Sequence, residues 1–409
     1  MTRNPHIVTA LDIGTSQTKI VITDMSDPSR HEVIGVGVAP SRGLRKGVVI
    51  NIDNTIAGIQ QALKQAESMA GIEVSSVYCS LSGAHIKGLS SNGVVAIKHK
   101  EVRIDDVERV IEAAKAVAIP MDREVLHVLP QEFIVDDQDS IKDPVGIHGV
   151  RLEARVHMVT GAVASAENIV KCANRCGLTV NDVVSAGIAS GRAVVTDEEQ
   201  DLGVCVIDIG GGTTDVTVFH NGAVKHSFVL PVGGNHISND IALLLRTPIE
   251  AAEELKCLHG CALPSLIQHD ETLSVTSTGE REDRVLSKQW LAEIIEPRLT
   301  EIFQVVIGEL INAKADQLIH SGIVLTGGVA NQVGIAELAE SVFSAPVRVG
   351  FPRGAQGLSD LIKDPAHAAS FGLVLYGDAT KSTSRASQGR GNFLSQSIKK
   401  VANWFGEHF

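Results

Sequence analysis

The sequence predicts an α/β protein built from two related domains that face each other. Three observations carry this. Two distant segments are alike: IVTALDIGTSQTKIVITD (7–24) and GVCVIDIGGGTTDVTVFH (203–220). Each is an apolar strand, then Asp-Ile-Gly, then a Gly/Thr/Ser turn, then a second strand rich in β-branched residues, so each domain opens with a β-hairpin. Helical periodicity fills the gaps between them, and 409 residues exceed one ordinary core.

Composition sets the class. Hydrophobic residues at 44% and charged residues at 21% describe a mostly globular chain. A formal charge of −12 excludes general nucleic-acid binding, which needs a basic field. The tail is a local exception: from Gly377 onward Lys381, Arg385, Arg390, Lys399 and Lys400 outnumber Asp378 and Glu407. The six cysteines (79, 172, 176, 205, 257, 261) form no CxxC and no Cys/His quartet. They read as reduced, mostly buried thiols of a cytoplasmic protein. The N-terminus runs straight into a strand pattern without a signal-peptide core, and no apolar run approaches the ~18 residues of a membrane span.

The elements follow from periodicity. Residues 54–70 place Ile56, Ile59, Leu63 and Ala66 on one helical face. Residues 105–118 repeat the pattern, with Asp105 as N-cap and Val107, Val110, Ile111 and Ala114 on one side. Residues 287–315 form an amphipathic stretch interrupted at Pro297. The segment 377–392 has no large apolar residue and reads as a flexible linker.

The turns carry the chemistry. Glycine admits unusual φ values and lets phosphate approach backbone N–H groups. Gly14, Thr15 and Ser16 form one such turn; Gly210, Gly211, Gly212, Thr213 and Thr214 form another. Asp12 and Asp208 end their strands beside them, placed to hold Mg²⁺ through water. Lys19 is placed to neutralise phosphate charge. No GxxxxGK[ST] occurs, so this is not a Walker loop. A lone DxGT turn is as often a plain hairpin turn; two, half a chain apart, are more specific. A third element, IVLTGGVA (323–330), ends a strand in Gly327-Gly328, a turn able to lie against adenine or ribose. Gly233-Gly234-Asn235 precedes a helical run and could set a helix N-terminus against phosphate.

This order of loops resembles the actin, Hsp70 and sugar-kinase superfamily. Nearly end to end, the chain is similar to the FtsA family of bacterial cell-division proteins, through PSRGLRKGVV (40–49), SSVYCSLSGAHI (75–86), VLHVLPQEF (125–133), DPVGIHGVRLEARVH (143–157), LGVCVIDIGGGTTD (202–215), LAEIIEPR (291–298) and GIVLTGGVA (322–330). The resemblance implies an actin-like ATPase fold that lacks subdomain 1B and carries an inserted 1C. It implies subdomain 1A at 1–84 with 165–198 and 360–376, 1C at 85–164, 2A at 199–233 with 310–359, and 2B at 234–309, then a linker at 377–392 and a membrane-targeting helix at 393–409. It implies ATP with Mg²⁺ between the halves. Asp12, Gly14, Thr15, Ser16 and Lys19 would serve the first phosphate loop and Asp208 to Asp215 the second. Gly327 and Gly328 would line the adenosine pocket, and Glu253 and Lys256 would contact the nucleoside. It further implies a protein that polymerises, tethers FtsZ filaments to the inner membrane at the division septum, and helps recruit other division proteins. The C-terminal peptide of FtsZ would dock in 2B, at Arg284, Lys288 and Arg298; the alternative is a solvated basic face paired with Glu280, Glu282 and Glu293. One departure matters. Strong hydrolases of the superfamily carry Glu or Gln in the connecting helix, whereas residues 185–191, SAGIASG, offer neither acid nor amide. Slow or negligible turnover is the expectation, with no catalytic residue assigned.

The tail is amphipathic in its own right. On a helical wheel Leu394, Ile398, Val401, Phe405 and Phe409 share one sector, with Phe393 and Trp404 at its edge. Gln396, Lys399, Lys400, Asn403 and Glu407 take the other side. A terminal helix usually packs on its own core. Here a linker-like segment precedes it, and interfacial Trp and Phe opposite Lys fit a membrane surface better. A small-metabolite kinase or a chaperone-like ATPase would share the ATP fold. The first needs a catalytic base that the sequence does not offer, and the second needs a peptide-binding domain for which no residues remain.

Overall fold

The computed structural model describes residues 6–27, 30–279 and 282–387. The first half opens with the hairpin β1 (Ile7–Ile13) and β2 (Gln17–Asp24), then β3 (His31–Pro40), the small ribbon β4 (Leu44–Arg45) and β5 (Val48–Val49), helix α1 (Ile52–Ala70) and β6 (Ser76–Leu81). An inserted unit follows: β7 (Lys87–Ala96), α2 (Ile104–Lys115), β8 (Arg123–Val135), β9 (Gln138–Ile141) and β10 (Arg151–Ala162). The chain returns through α3 (Val163–Arg175), β11 (Thr179–Ser185) and the connecting helix α4 (Ala186–Val194). The second half holds α5 (Asp197–Leu202), β12 (Val204–Ile209), β13 (Thr214–His220), β14 (Ala223–Leu230), α6 (Gly234–Leu245), α7 (Ile249–His259), β15 (Thr272–Val275), β16 (Arg284–Ser287), α8 (Lys288–Asn312), β17 (Ile323–Thr326), α9 (Ile335–Phe343) and β18 (Val347–Val349). Strand β19 (Ala355–Gly357) and helix α10 (Ala368–Ser387) go back to the first half.

The repeat seen in the sequence is a repeat of topology. In the first half β1 pairs antiparallel with β2 and parallel with β6. In the second, β12 pairs antiparallel with β13 and parallel with β17. The six-stranded sheet runs β11-β6-β1-β2-β3-β19. The other runs β18-β17-β12-β13-β14-β7-β10-β8-β9, so the insert continues the sheet of the second half through one residue pair, Phe228 with Lys87. Each half has its own apolar core, around Ile20 and Ile59 in the first and around Ile207 and Phe303 in the second. A third core, with Ala189 and Phe371, packs α4 and α10 between the sheets. The two helices approach so closely that a Cβ on Gly372 would stand 1.8 Å from the Ala189 carbonyl oxygen.

Three sequence expectations change. Helix α8 runs unbroken through Pro297, because buried Leu291, Ile294 and Ile295 before the proline and Leu299, Ile302 and Phe303 after it share one core. Asp105 is not the N-cap of α2. Arg103 holds that place, and the Asp106 carboxylate accepts its backbone N–H at 3.1 Å. Residues 377–387, read as linker, continue α10. The remaining linker residues 388–392 and the amphipathic segment 393–409 lie outside the described residues.

Candidate nucleotide site

The two hairpin turns face each other across a cleft of about 360 Å³. Asp12 lies near the end of β1, buried, and its Oδ1 accepts the Ser80 hydroxyl at 2.6 Å. The first turn closes through Gly14 N–H to the Gln17 carbonyl, 3.0 Å, and Thr15 Oγ1 accepts the Gly47 N–H, 3.0 Å. Lys19 stands opposite Asp12 in the hairpin register and donates to the Ala366 carbonyl just ahead of α10.

The second turn repeats this with Gly210 N–H to the Thr213 carbonyl at 2.9 Å. Asp208 and Asp215 are register partners on β12 and β13. Asp208 accepts the hydroxyl of Ser190 from the connecting helix. Asp215 Oδ2 accepts the Ser82 hydroxyl at 2.6 Å, and its Oδ1 is buried without a partner. Burial, reinforced by the Asp12 charge and opposed by Ser190, pushes Asp208 up to about 6. Burial and the Asp208 charge push Asp215 up to about 7. Three buried carboxylates crowding one floor, one with an orphaned oxygen, are costly unless a cation or hydrogen-bond donor joins them. Oxygen acceptors so placed suit a hard divalent ion such as Mg²⁺ held through its water shell rather than by direct ligation.

The far wall comes from α7 and the turn after β17. Lys256, buried, bonds Glu253 Oε2 (2.7 Å), Ser238 Oγ (3.0 Å) and the Gly234 carbonyl (3.2 Å). Gly327 has φ +84°, and a Cβ there would lie 2.3 Å from Asp208 Oδ1, so only glycine fits.

The structure brings most of the predicted residues to the cleft: Asp12, Gly14, Thr15, Ser16, Lys19, Asp208, Gly210, Gly211, Thr213, Asp215, Gly234, Glu253, Lys256, Gly327 and Gly328 line it. Four others do not line it. Thr214 is buried and donates to the Val232 carbonyl, Gly212 lies against Thr15, Gly233 caps α6, and Asn235 Oδ1 accepts the Ser16 hydroxyl at 3.3 Å. The α6 N-terminus is not the open anion seat expected of it. The Gly234 and Asn235 amides are taken by the Gly210 and Gly211 carbonyls, at 2.9 and 2.7 Å. Ser80, Ser82, Asn331, Gln332 and Asp364 also line the cleft and were not assigned from sequence. The motif stretch SSVYCSLSGAHI contains both serines but gives no sign of where they point.

The basic residues at 284–298 are already paired. Arg284 donates to the Leu245 carbonyl and Ser277 Oγ; Lys288 bridges Glu271 Oε2 at 2.8 Å. Arg298 grips Asp240 with two bonds, 2.6 and 3.1 Å, and reaches Glu301. Glu282 and Glu293 are not the partners considered from sequence: Glu282 offers a backbone carbonyl to Ser277, and Glu293 accepts Gln289. Four of the six cysteines are buried and all are free; among the described residues no group of three or more His, Cys, Asp or Glu side chains is set to hold a metal ion by itself, and no helix is long and apolar enough to cross a membrane.

Two facing halves of duplicated hairpin topology around this cleft define an actin-like ATPase fold. The structure superposes on that of the PilM-PilN type IV pilus biogenesis complex with TM-score 0.65, covering 90% of this chain and 98% of the other at 18% identity. It superposes on MreB5 of Spiroplasma citri bound to ADP with TM-score 0.56, covering 94% and 99% at 14% identity. The chain is 47% identical to the cell division protein FtsA of Pseudomonas aeruginosa, covering 91% of this chain and 89% of that protein. It is 40% identical to that of Escherichia coli K12, covering 98% of both. Family models for "Cell division protein FtsA" and "SHS2 domain inserted in FTSA" match residues 205–372 and 83–160. The chain belongs to the FtsA family of cell division proteins.

Proposed function

We propose that this chain binds ATP with Mg²⁺ in the cleft and, as a slow or negligible hydrolase, works as a scaffold that holds FtsZ filaments to the inner membrane at the division septum. The observation that carries the reading is the convergence of both hairpin turns, the Gly327 turn and the Glu253–Lys256 pair on one cleft. MreB5 of Spiroplasma citri, of like fold, was crystallised with ADP and with AMPPNP. Asp12 and Asp208 would hold the metal through water, and Lys19 would release Ala366 to face phosphate.

Membership of a division family supports the rest. The inserted unit at 85–164 would be subdomain 1C and meet the next copy in a filament. The 2B region at 234–309 would take the C-terminal peptide of FtsZ. Its acidic residues would compete with Asp240 and Glu271 for Arg298 and Lys288, and exposed Val285 and Trp290 supply apolar contact beside them. The segment 393–409 would be the membrane anchor. Co-sedimentation tests the whole. FtsZ should pellet with anionic vesicles only when the chain and ATP are present, and not with a Trp404→Glu/Phe405→Glu variant. Pelleting that ignores the variant would contradict the tether.

A further inference from the structure

The cations that line the cleft are few for the charge it is read to take. Asp12, Asp208 and Asp215 lie on its floor, and the basic residues of its lining are Lys19 and Lys256. Lys256 is taken by Glu253 at 2.7 Å, which leaves Lys19. MgATP keeps a net negative charge on its phosphates, and phosphoryl sites meet such charge with fixed cations. One further cation stands at the rim, on the small ribbon β4–β5.

Lys46 and Gly47 form the turn of that ribbon, in which Leu44 pairs with Val49 and Arg45 with Val48. Their φ angles are +51° and +78°. Positive φ at both central residues is a primed hairpin turn, whose first place favours Asn, Asp or Gly, so lysine stands there against local preference. The turn is fixed to the cleft. Gly47 lines it, and its N–H donates to Thr15 Oγ1 of the first hairpin turn at 3.0 Å. A Cβ on Gly47 would lie 2.7 Å from the Ser82 carbonyl oxygen. Lys46 is exposed, and no ion pair or hydrogen bond among the described residues engages its ammonium group. Its charge is felt across the cleft mouth: burial, with the Lys46 and Arg298 charges behind it, holds His236 of α6 below the usual histidine value. A fixed turn that carries a free ammonium on a flexible four-carbon stem suits a terminal phosphate.

The direction of the nucleotide follows from where the walls sit. Glu253, Lys256, Gly327 and Gly328, the wall read as facing the nucleoside, belong to the second half. The ribbon tip touches Thr15 and Ser82 of the first half. A phosphate chain that starts from the nucleoside wall and crosses the two hairpin turns ends beside the ribbon. We propose that Lys46 pairs with the γ-phosphate of ATP bound in the cleft and is the residue that favours ATP over ADP. This rests on reading the cleft as an ATP site. ADP lacks the phosphate that Lys46 meets, so the lysine discriminates without touching the nucleoside. Lys19, opposite Asp12 in the hairpin, serves the phosphates that both nucleotides share.

The test uses the full chain and two variants. Lys46→Asn removes the charge and keeps a residue suited to positive φ. Arg45→Gln removes the neighbouring exposed charge of the same ribbon. Calorimetry with Mg²⁺ and either a non-hydrolysable ATP analogue or ADP reads the two affinities, and a melt without nucleotide reads the fold. Lys46→Asn should bind the analogue at least about tenfold more weakly than the parent, about 1.4 kcal/mol, and bind ADP within about twofold. It should melt no lower than the parent, because its turn is relieved. Arg45→Gln should keep the parent's preference for the analogue. Parent-like analogue affinity in Lys46→Asn would overturn the proposal. So would an equal loss for ADP, the same loss in Arg45→Gln, or a parent that binds ADP as well as the analogue. A parent that binds neither nucleotide would overturn the reading of the cleft itself.

Discussion

The Gln131 side-chain amide donates to the Val224 backbone carbonyl at 2.9 Å and lies 3.2 Å from that of Lys225, bonding the inserted unit to the second half of the molecule. Nearby, His157 and Ser227 share a hydrogen bond of 2.8 Å, and Phe228 pairs with Lys87. The insert leaves the chain within the first half, so this seam is a further tie between the halves. Gln131→Ala should cost about 1–2 kcal/mol, since two carbonyls lose their donor. Urea unfolding followed by circular dichroism measures it.

Acid should unfold the protein partly through two buried histidines. Burial lowers His157 to about 3, helped by His226 and His127, and lowers His367 to about 4, helped by Lys19. Their unfolded value is near 6.5. Below pH 6.5 the unfolded chain takes up protons that the folded one refuses, so stability falls as pH drops toward 3–4, by up to about 1.4 kcal/mol per pH unit for each group. Asp208 and Asp215, raised to about 6 and 7, act oppositely: their folded forms bind protons first, and the stability this gives is lost as pH rises through those values. His157→Gln should therefore show a shallower acid decline than the parent in melts between pH 6.5 and 4.

Arg298 should be both structural and partner-facing. Arg298→Glu would set a carboxylate against Asp240 and Glu301, so a loss of about 1–3 kcal/mol is expected alongside weaker FtsZ-peptide binding. The charge swap Arg298→Glu/Asp240→Arg separates the two. It should restore the melting point but not the peptide affinity read by fluorescence anisotropy.

The tail segment should be marginal as a helix in water, since lone helices of this length are. On anionic vesicles, burying each large side chain is worth about 1.5–3 kcal/mol, and Lys399 and Lys400 add about 1 kcal/mol each. A single copy should bind weakly and reversibly, and many copies firmly. Circular dichroism of the 393–409 peptide should show helix only with anionic vesicles, and Trp404→Glu should abolish it.

The architecture was legible because it is written in repeated local chemistry. Asp12 and Asp208 each end an apolar strand before a Gly-rich turn, and that pattern fixes the hairpins and their duplication. What stayed hidden depends on contacts distant in sequence. Ser82 and Asp215 are 133 residues apart, and nothing in SLSG announces that its second serine crosses the cleft. The α6 amides looked free for an anion because helix starts usually are; the carbonyls that occupy them belong to the preceding loop's fold. Pro297 looked like a break because propensity speaks for an isolated helix, whereas α8 is held by its core. Residues 377–387 looked like a tether on composition, and α10 continues through them. Helix α10, which starts just after Ala366 at the cleft, thus carries the chain as far as Ser387.

Calorimetric titration of ATP with Mg²⁺ into the full chain tests the central claim most directly. The parent should bind one nucleotide per chain saturably. Gly327→Val, whose new Cβ would collide with Asp208, should bind at least about a hundredfold more weakly, roughly 2.7 kcal/mol, as should Asp208→Ala, with both variants still melting cooperatively. Heats of dilution alone from the parent, or parent-like affinity in both variants, would contradict the account.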